Sequence, residues 1–267
     1  MNFKKMINKK NFKIFVICRL NSKRLKKKIT KKILNLSILE ILVLRLSKKF
    51  GTDNIIICTG SKKHKFFSNI KKKYKIKVFY GDDKNIFKRL LDASKKFNVK
   101  CFARITADNP LTDVDILHKM LLIFFKKKLD YIYTNGLFPG LRSEIISVKS
   151  LLKCYNLSED PSSSEYLTYY FLRKNLFKIF CYKKKRSVKE KRVSITIDRK
   201  KDFFQLKNII KNKKDFFINS VEILKRLKAS RINKEKKLVP LKNLLYNVRL
   251  KTDDKKMKYL NLKNFFL

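Results

Sequence analysis

A cationic loop near the N-terminus carries residue types that suit the binding of a polyphosphate. It follows a short apolar run at 14–18 and contains Arg19, Ser22, Arg24 and Lys28. Guanidinium groups hold phosphate oxygens through paired N–H donors, and the backbone amides of such a loop add further donors. We expect the loop to face solvent. Because 69 of the 267 residues are Lys or Arg, the alternative is an ordinary solvated basic stretch.

Two aspartates stand where strands are predicted to end. Asp108 follows the apolar run at 100–105 and directly precedes a Pro-turned loop, and Asp198 follows the run at 193–197. If both carboxylates face one cleft, they can hold Mg²⁺ against the phosphates of a nucleotide. Each also has a simpler interpretation, since Asp108 can cap the following turn and Asp198 can be the N-cap of a helix.

The elements that must position these residues alternate between strand and helix along the chain. Such alternation predicts an α/β fold with a mostly parallel sheet covered on both faces, which binds ligands at the carboxyl ends of its strands. Strands are predicted at 14–18, 54–58, 77–80, 100–105, 131–133, 144–148, 177–182 and 193–197. Helices are predicted at 36–50, at 62–73, from a cap at Asp82 or Asp83 to 97, from a cap at Asp113 to 127, and at 162–173, 199–211 and 220–227.

The pattern places one folded domain at 11–212. Residues 213–267 form a C-terminal accessory segment of uncertain order, because a short helical pattern is followed there by a Lys- and Asn-rich tail. The five Cys are odd in number and include no C-x-x-C pair, so neither a disulfide framework nor a zinc site is indicated. No apolar run approaches the length of a membrane helix or a signal-peptide core, and we expect a soluble, cytoplasmic protein.

The net charge of +48 is a weak indication of any partner. Lysines are scattered along the whole chain, while Gly, Pro and Trp are scarce and Lys, Asn, Ile, Phe and Tyr abundant, which is the set that A+T-rich codons encode. A nucleic-acid-binding protein is an alternative supported by charge and aromatic content. The sequence lacks the aromatic motif, the helix-turn-helix pattern and the concentrated basic arm of such proteins, so a nucleic-acid partner is disfavoured.

Short motifs along residues 13–212 occur in an order that is more specific than any one of them. In chain order they are Arg19-x-x-Ser22-x-Arg24-Leu25-x-x-Lys28, Gly81-Asp82-Asp83 leading to Arg89, Arg104-Ile105-Thr106-x-Asp108-x-Pro110-Leu111, Asp130-Tyr131 to Asn135, Pro139-Gly140-Leu141 with Glu144, Ser164-Glu165 with Thr168, and Thr196-Ile197-Asp198. This series resembles the cytidylyltransferases that make CMP-activated acidic sugars. Within them it is most similar to the branch of the spore-coat polysaccharide biosynthesis protein F.

The resemblance implies a nucleotide-diphospho-sugar transferase fold, a three-layer α/β/α Rossmann-like sandwich. It also implies an enzyme that moves CMP from CTP to an acidic sugar or related acceptor and releases pyrophosphate, with a role in surface polysaccharide biosynthesis, and it leaves a homodimer open. By position, the residues assigned to catalysis are Arg19, Arg24, Lys28 and Asp108; those assigned to the nucleotide are Arg19, Ser22, Arg24, Lys28 and Arg104; those assigned to Mg²⁺ are Asp108 and Asp198; and those assigned to the acceptor are Asn135, Arg142 and Glu144.

The sequence departs from the family pattern at four positions. Asn21 replaces a small residue and Lys26 replaces a Pro in the cationic loop, whereas Arg142 replaces an Asp and Tyr166 replaces a His towards the acceptor. Because the phosphate and metal positions are kept, the departures favour an active transferase with an unusual anionic acceptor; a degenerate enzyme stays open.

A glycosyltransferase of the same fold is the remaining alternative. Such enzymes typically carry a D-x-D metal motif after a strand, and Asp113-Val114-Asp115 has those letters. This tripeptide follows Pro110 at the predicted start of a helix, and we therefore interpret it as a helix cap.

Overall fold

A seven-stranded sheet forms the centre of the computed structural model, which describes residues 7, 10–20, 22, 24–60, 62–157, 171, 176–184 and 194–229. The strands are β1 Phe12–Ile17, β2 Lys32–Ile33, β3 Leu36–Ser37, β4 Ile55–Gly60, β5 Lys77–Gly81, β6 Cys101–Thr106, β7 Tyr131–Asn135, β8 Glu144–Ser147 and β9 Ile179–Lys183. The helices are α1 Ile38–Phe50, α2 Lys65–Tyr74, α3 Ile86–Lys96, α4 Val114–Lys127, α5 Val148–Asn156, α6 Lys200–Ile209 and α7 Ser220–Ala229.

The large sheet has the order β5-β4-β1-β6-β8-β7-β9, and β2 and β3 form a separate antiparallel pair. Strand β8 runs antiparallel to β6 and β7, and every other pairing in the large sheet is parallel. The predicted α/β architecture with a mostly parallel sheet is therefore confirmed. The carboxyl ends of β1, β4, β5 and β6 meet at one edge, as in other sheets of this kind.

Helices cover both faces of the sheet, which gives three layers. Along β1, Ile14 and Val16 face one hydrophobic cluster that contains residues of α1 and α4, and Phe15 faces a second cluster that contains residues of α3 and α5. The Phe15 ring stacks on that of Phe102 with 4.5 Å between centroids. Burial on both faces explains why these strands read as continuous apolar runs instead of alternating ones.

Of two helix caps predicted from sequence, one is confirmed and one is wrong. Asp113 begins α4 as predicted, and its carboxylate accepts hydrogen bonds from the amides of Asp115 and Ile116. The prediction that Asp82 or Asp83 caps α3 is wrong, because Asn85 is the N-cap and its side chain accepts from Lys88 N. Asp82 closes the turn before the helix by accepting from the amides of residues 84 and 85.

The C-terminal half departs further from the sequence pattern. The predicted strand at 193–197 is wrong for the residues that the structure describes, 194–197, which form no strand. Their amides instead bond to two different loops, Ile195 N to Pro139 O and Ile197 N to Asp108 O. Helix α5 was not predicted. The predicted helix at 162–173, with Ser164, Glu165, Tyr166 and Thr168, lies outside the described residues apart from Phe171, as does Asn21.

Residues 213–227 pack onto the same hydrophobic cluster as α1 and α4. Phe216, Ile223 and Leu227 are buried there, and the guanidinium of Arg45 in α1 donates to the carbonyls of Phe216 and Ile218. The division at 212 stays a prediction, and this part of the accessory segment shares the main core. Among the described residues, no helix is both long and apolar enough to cross a membrane.

Candidate active site

Lys28 joins the two aspartates that the sequence singles out. Its ammonium donates to Asp108 Oδ2 at 2.6 Å, to Asp198 Oδ1 at 3.2 Å and to the Ile197 carbonyl at 3.0 Å. An ammonium has three protons, so these three acceptors use all of them. The Lys28 side chain is only 10% exposed, and the two carboxylates are about one-fifth exposed. Three predicted site residues, separated widely in sequence, thus form one partly buried charge cluster.

Backbone hydrogen bonds explain why the two carboxylates lie together. Ala107 N donates to Ile17 O, which extends the pairing of β6 with β1 to the residue before Asp108. The carbonyl of Asp108 then accepts from Ile197 N at 3.0 Å, and this bond fixes Asp198 beside it. The other carboxylate oxygen of Asp108, Oδ1, is buried and accepts no hydrogen bond from the part of the chain that the structure describes.

Asp198 does not act as the helix cap that its position suggests. The N-cap of α6 is Arg199, and the carboxylate that accepts from the amides of Asp198 and Arg199 belongs to Asp202 inside the helix. Asp198 Oδ1 is occupied instead by Lys28 and by Arg24 Nη2, which lies 3.3 Å away.

The cationic loop has an open part and a closed part. Arg19 is exposed and the Arg24 side chain is 62% exposed, whereas Ser22 is half-buried. Lys27 adopts a left-handed backbone with φ of 49°, after which residues 28–30 form one turn of 3₁₀-helix and Lys28 points inward. The expectation of a solvent-facing loop therefore holds for Arg19 and Arg24 and is wrong for Lys28, because its ammonium is drawn to the aspartates.

The residues assigned to the acceptor lie on the neighbouring strands. Glu144 is the register partner of Arg104 in the β6–β8 pair, and the two side chains form an ion pair. The Tyr131 hydroxyl donates to the other oxygen of Glu144. Burial raises the pKa of Tyr131, and the charge of Glu144 raises it further, so Tyr131 keeps its proton. Arg104, assigned to the nucleotide, thus contacts Glu144, assigned to the acceptor.

The loop from 136 to 143 connects this acceptor region to the aspartates. Its Arg142 side chain is half-buried and donates through Nε to the Leu137 carbonyl at 2.8 Å. At Gly140, with φ of +101°, a Cβ would lie 2.7 Å from the amide nitrogen of Thr196. Only glycine allows this contact. Asn135 ends β7, where its carbonyl accepts from Lys184 N.

Arg89 is a further buried cation at the carboxyl edge; it lies in one of the sequence motifs but was assigned no role. Its Nη2 lies 3.4 Å from the Asp83 carbonyl, and its buried Nε has no acceptor among the described residues. Burial lowers its pKa. Asp202 is a second residue that sequence reasoning missed; its signal is an acid three positions after the N-cap of α6.

The other metal motif considered from sequence is used elsewhere. Asp113 caps α4, and Asp115 pairs with Lys49 at 2.6 Å. The structure describes no group of three or more His, Cys, Asp or Glu side chains that could hold a metal ion, so the Asp108–Asp198 pair is the candidate that remains within the described ranges.

Comparison with known proteins gives a family match over most of the chain. The model of the cytidylyltransferase family matches residues 14–251. An uncharacterized protein of Methanocaldococcus jannaschii, MJ1063, is 32% identical over 236 residues, which cover 88% of this chain and 94% of that protein. The spore coat polysaccharide biosynthesis protein SpsF of Bacillus subtilis is 24% identical over 205 residues, covering 73% of this chain and 84% of SpsF.

Solved structures share the fold. A cytidylyltransferase from Leptospira borgpetersenii superposes with a TM-score of 0.77 at 24% identity, covering 86% of this chain and 98% of that one. A CMP:2-keto-3-deoxy-manno-octonic acid synthetase complexed with CTP superposes with a TM-score of 0.59 at 10% identity, covering 75% and 98%. At these identities the likeness establishes the Rossmann-like architecture of the nucleotidyltransferases and not the substrate.

Proposed function

The chain belongs to the cytidylyltransferase family, and from that premise we propose that it moves CMP from CTP to an acidic sugar or a related anionic acceptor, with release of pyrophosphate. The observation that carries the proposal is the convergence of Lys28, Asp108 and Asp198 at the carboxyl edge of the sheet. The names of two similar proteins support the substrate class, since one makes CMP-activated 2-keto-3-deoxy-manno-octonic acid and the other serves spore coat polysaccharide biosynthesis. We place this chain in surface polysaccharide biosynthesis on that basis.

The aspartate pair suits Mg²⁺. The Lys28 ammonium already lies between the two carboxylates, so the pair accommodates a cation, and the buried Oδ1 of Asp108 offers a further oxygen. Oxygen ligands from one or two carboxylates, together with substrate phosphates, are what Mg²⁺ prefers. When bound by Asp108 and Asp198, it would neutralise charge on the phosphates and polarise them.

Cations of the loop would hold the phosphates. Arg19 and Arg24 are exposed on the loop that carries Lys28 and can turn their N–H groups to phosphate oxygens, and the Ser22 hydroxyl of the same loop can add a donor. Lys28 differs, because all three of its protons are engaged and it must release at least one acceptor before it donates to a phosphate. Without nucleotide, the two aspartates and the two cations Lys28 and Arg24 neutralise one another.

CTP and the divalent cation would therefore favour each other's binding. Phosphates would draw Lys28 and Arg24 from the aspartates, and the released carboxylates of Asp108 and Asp198 would then be able to hold the cation. By linkage, CTP and the cation would strengthen each other's binding by the same factor. In the transfer step an acceptor hydroxyl oxygen attacks the α-phosphorus in line. A new P–O bond forms, the bond to the bridging oxygen of the β-phosphate breaks, pyrophosphate leaves and the hydroxyl proton passes to solvent. Positioning and charge neutralisation supply most of the acceleration.

The acceptor region would favour the binding of an anionic group. The Glu144 carboxylate is paired with Arg104 and accepts a hydrogen bond from Tyr131, so its negative charge is neutralised within the acceptor region. Arg142, where the resemblance predicts an acid, adds positive charge to the loop that follows β7. An acceptor with a carboxylate, phosphate or phosphonate suits this balance better than a neutral sugar.

Pyrophosphate release tests the proposal. The full chain is incubated with each of the four nucleoside triphosphates, Mg²⁺ and a panel of acidic and neutral sugars. We expect release with CTP and an acidic sugar, and loss of that release in Asp108→Asn. Consumption of a nucleotide sugar without pyrophosphate would instead identify a glycosyltransferase, and salt-dependent binding of polyanions without any turnover would favour the nucleic-acid alternative.

A further inference from the structure

Two stretches near the C-terminus use the same hydrogen-bond arrangement. Asp202 Oδ2 accepts from the amides of Asp198 and Arg199, four and three residues earlier, at 2.9 and 2.8 Å. Asp215 Oδ2 accepts from the amides of Lys211 and Asn212, at the same spacings, at 2.7 and 3.0 Å. Both aspartates are buried, with 5% and 3% exposure. The arrangement orders the chain at the start of a helix or turn in both places.

These two copies of the arrangement differ in the residue whose amide donates to the aspartate. Lys211 is exposed, and Asp215 is paired with Arg226 at 2.8 Å. Asp198, in contrast, directs its carboxylate to Lys28 and Arg24 in the candidate site. The first arrangement therefore holds the backbone of the residue whose carboxylate faces the candidate site, whereas the second holds an exposed lysine outside that site.

An aspartate directly before a helix usually turns its own carboxylate back to the helix amides. Here Asp202 supplies the acceptor for the amides of Asp198 and Arg199, and the Asp198 carboxylate faces Lys28 instead. We propose that Asp202 is a positioning residue that keeps the Asp198 carboxylate in the cation site, and thereby sets the affinity of the CTP-bound enzyme for its divalent cation. This inference rests on the proposed function, because it takes Asp198 to be a cation ligand.

Matched substitutions in the two copies separate positioning from general stability. Asp202→Ala and Asp215→Ala each remove an acceptor of two amides, and both are expected to lower the melting temperature of the full chain. Residues that hold a metal ligand in place typically contribute 10- to 100-fold to affinity, so we expect Asp202→Ala to weaken Mn²⁺ binding by about 10-fold. Asp215→Ala should leave Mn²⁺ binding unchanged.

Mn²⁺ binding is followed by electron paramagnetic resonance, with CTP present, no acceptor, and a CTP-only titration subtracted. A second readout is the Mg²⁺ dependence of turnover, where Asp202→Ala should raise the half-saturating Mg²⁺ concentration while kcat at saturating Mg²⁺ stays near that of the parent. Asp202→Asn keeps an acceptor oxygen and should recover most of the affinity, to within about 3-fold of the parent. If Asp202→Ala does not fold, Asp202→Asn is used for the test. Its Mn²⁺ affinity is then expected to fall by about 2- to 3-fold, whereas that of Asp215→Asn should not change.

Equal Mn²⁺ affinity in the Asp202 and Asp215 variants would overturn the inference. The Asp198→Asn variant keeps its failure distinct from that of the proposed function. If Asp198→Asn binds Mn²⁺ and turns over like the parent, Asp198 is not a cation ligand, and its proposed role falls together with this inference while the transfer activity stands. If Asp198→Asn is impaired while Asp202→Ala behaves like Asp215→Ala, only the positioning role of Asp202 is overturned.

Discussion

Two charge clusters are built in opposite ways, one at the carboxyl edge of the sheet and the other within the strands β6, β7 and β8. The loop cluster consists of Lys28, Arg24, Asp108 and Asp198. Both of its cations are long, flexible side chains on one loop, and Arg24 is largely exposed. The sheet cluster consists of Arg104, Glu144 and Tyr131, all on paired strands in register. Charges on a loop can change partners when a ligand arrives, whereas charges fixed by strand register cannot. We infer that the loop cluster handles the chemistry and the sheet cluster holds the shape of the acceptor region.

The largest expected effect is on the loop cluster. Asp108→Asn removes a charge from the pair that would hold the cation, and loss of one such electrostatic contact typically costs about 100- to 1000-fold in turnover. The measurement is pyrophosphate release at saturating CTP. Asp115→Asn, an exposed aspartate paired with Lys49 at the start of α4, is the matched control and should retain full activity. Turnover of Asp108→Asn within about threefold of the parent would remove Asp108 from the chemistry.

The sheet cluster is expected to respond in stability. Glu144→Gln leaves the Arg104 guanidinium without its carboxylate in a site where both side chains are less than one-fifth exposed. Breaking such a pair from one side costs about 3 kcal/mol in the free energy of unfolding. Urea unfolding measures this, with Asp92→Asn as the control, because its pair with Lys88 is solvent-exposed and screened and should contribute little to stability. A stability loss no larger than the control's would show that the sheet cluster is not a structural unit.

Two substitutions within the loop cluster should both weaken CTP binding but should differ in their effect on stability. Arg24→Ala and Lys28→Ala each remove a charged donor and should weaken CTP binding by about 1.5 to 3 kcal/mol. Arg24 is exposed, so its loss should leave the melting temperature unchanged. Loss of Lys28 leaves two adjacent carboxylates without their shared cation, so the melting temperature should fall. Lys26→Ala, an exposed residue of the same loop, controls for general charge. Equal melting temperatures for both variants would contradict the division of the loop into open and closed parts.

The smallest effect is expected at Arg142, which links the two clusters through its loop. Arg142→Asp reverses the charge and should raise the KM for an anionic acceptor by about 10-fold, the scale of one charged contact, while the KM for CTP stays unchanged. Arg142→Lys keeps the charge and loses the Nε donor to Leu137, so it separates charge from loop anchoring. An equal change for anionic and neutral acceptors would show that this position does not read acceptor charge, and that Arg142 serves only to hold the loop.

Local signals predicted the sheet and several of its boundaries. The runs that became β1, β4 and β6 are mostly apolar, since helices cover both faces, and their strands lie within two residues of the predicted bounds. Asp113 was predicted as a cap from its position after a Pro-turned loop and before a helical pattern, and it is one. The strand predicted at 193–197 failed because its apolar pattern reflects burial against two loops, and burial alone does not distinguish a paired strand from an extended segment.

The apolar runs and the ordered motifs were enough to indicate the fold and the family. Which charges meet depends on how the chain folds. Lys28 lies 80 residues from Asp108 and 170 from Asp198, and nothing in the local pattern distinguishes it from Lys26 and Lys27. The left-handed turn at Lys27, the bond from Ile197 N to Asp108 O and the acceptor supplied by Asp202 together bring these groups into contact. The physical reason is that local propensity depends on neighbours along the chain, whereas a charge cluster depends on backbone hydrogen bonds between segments that the sequence keeps far apart.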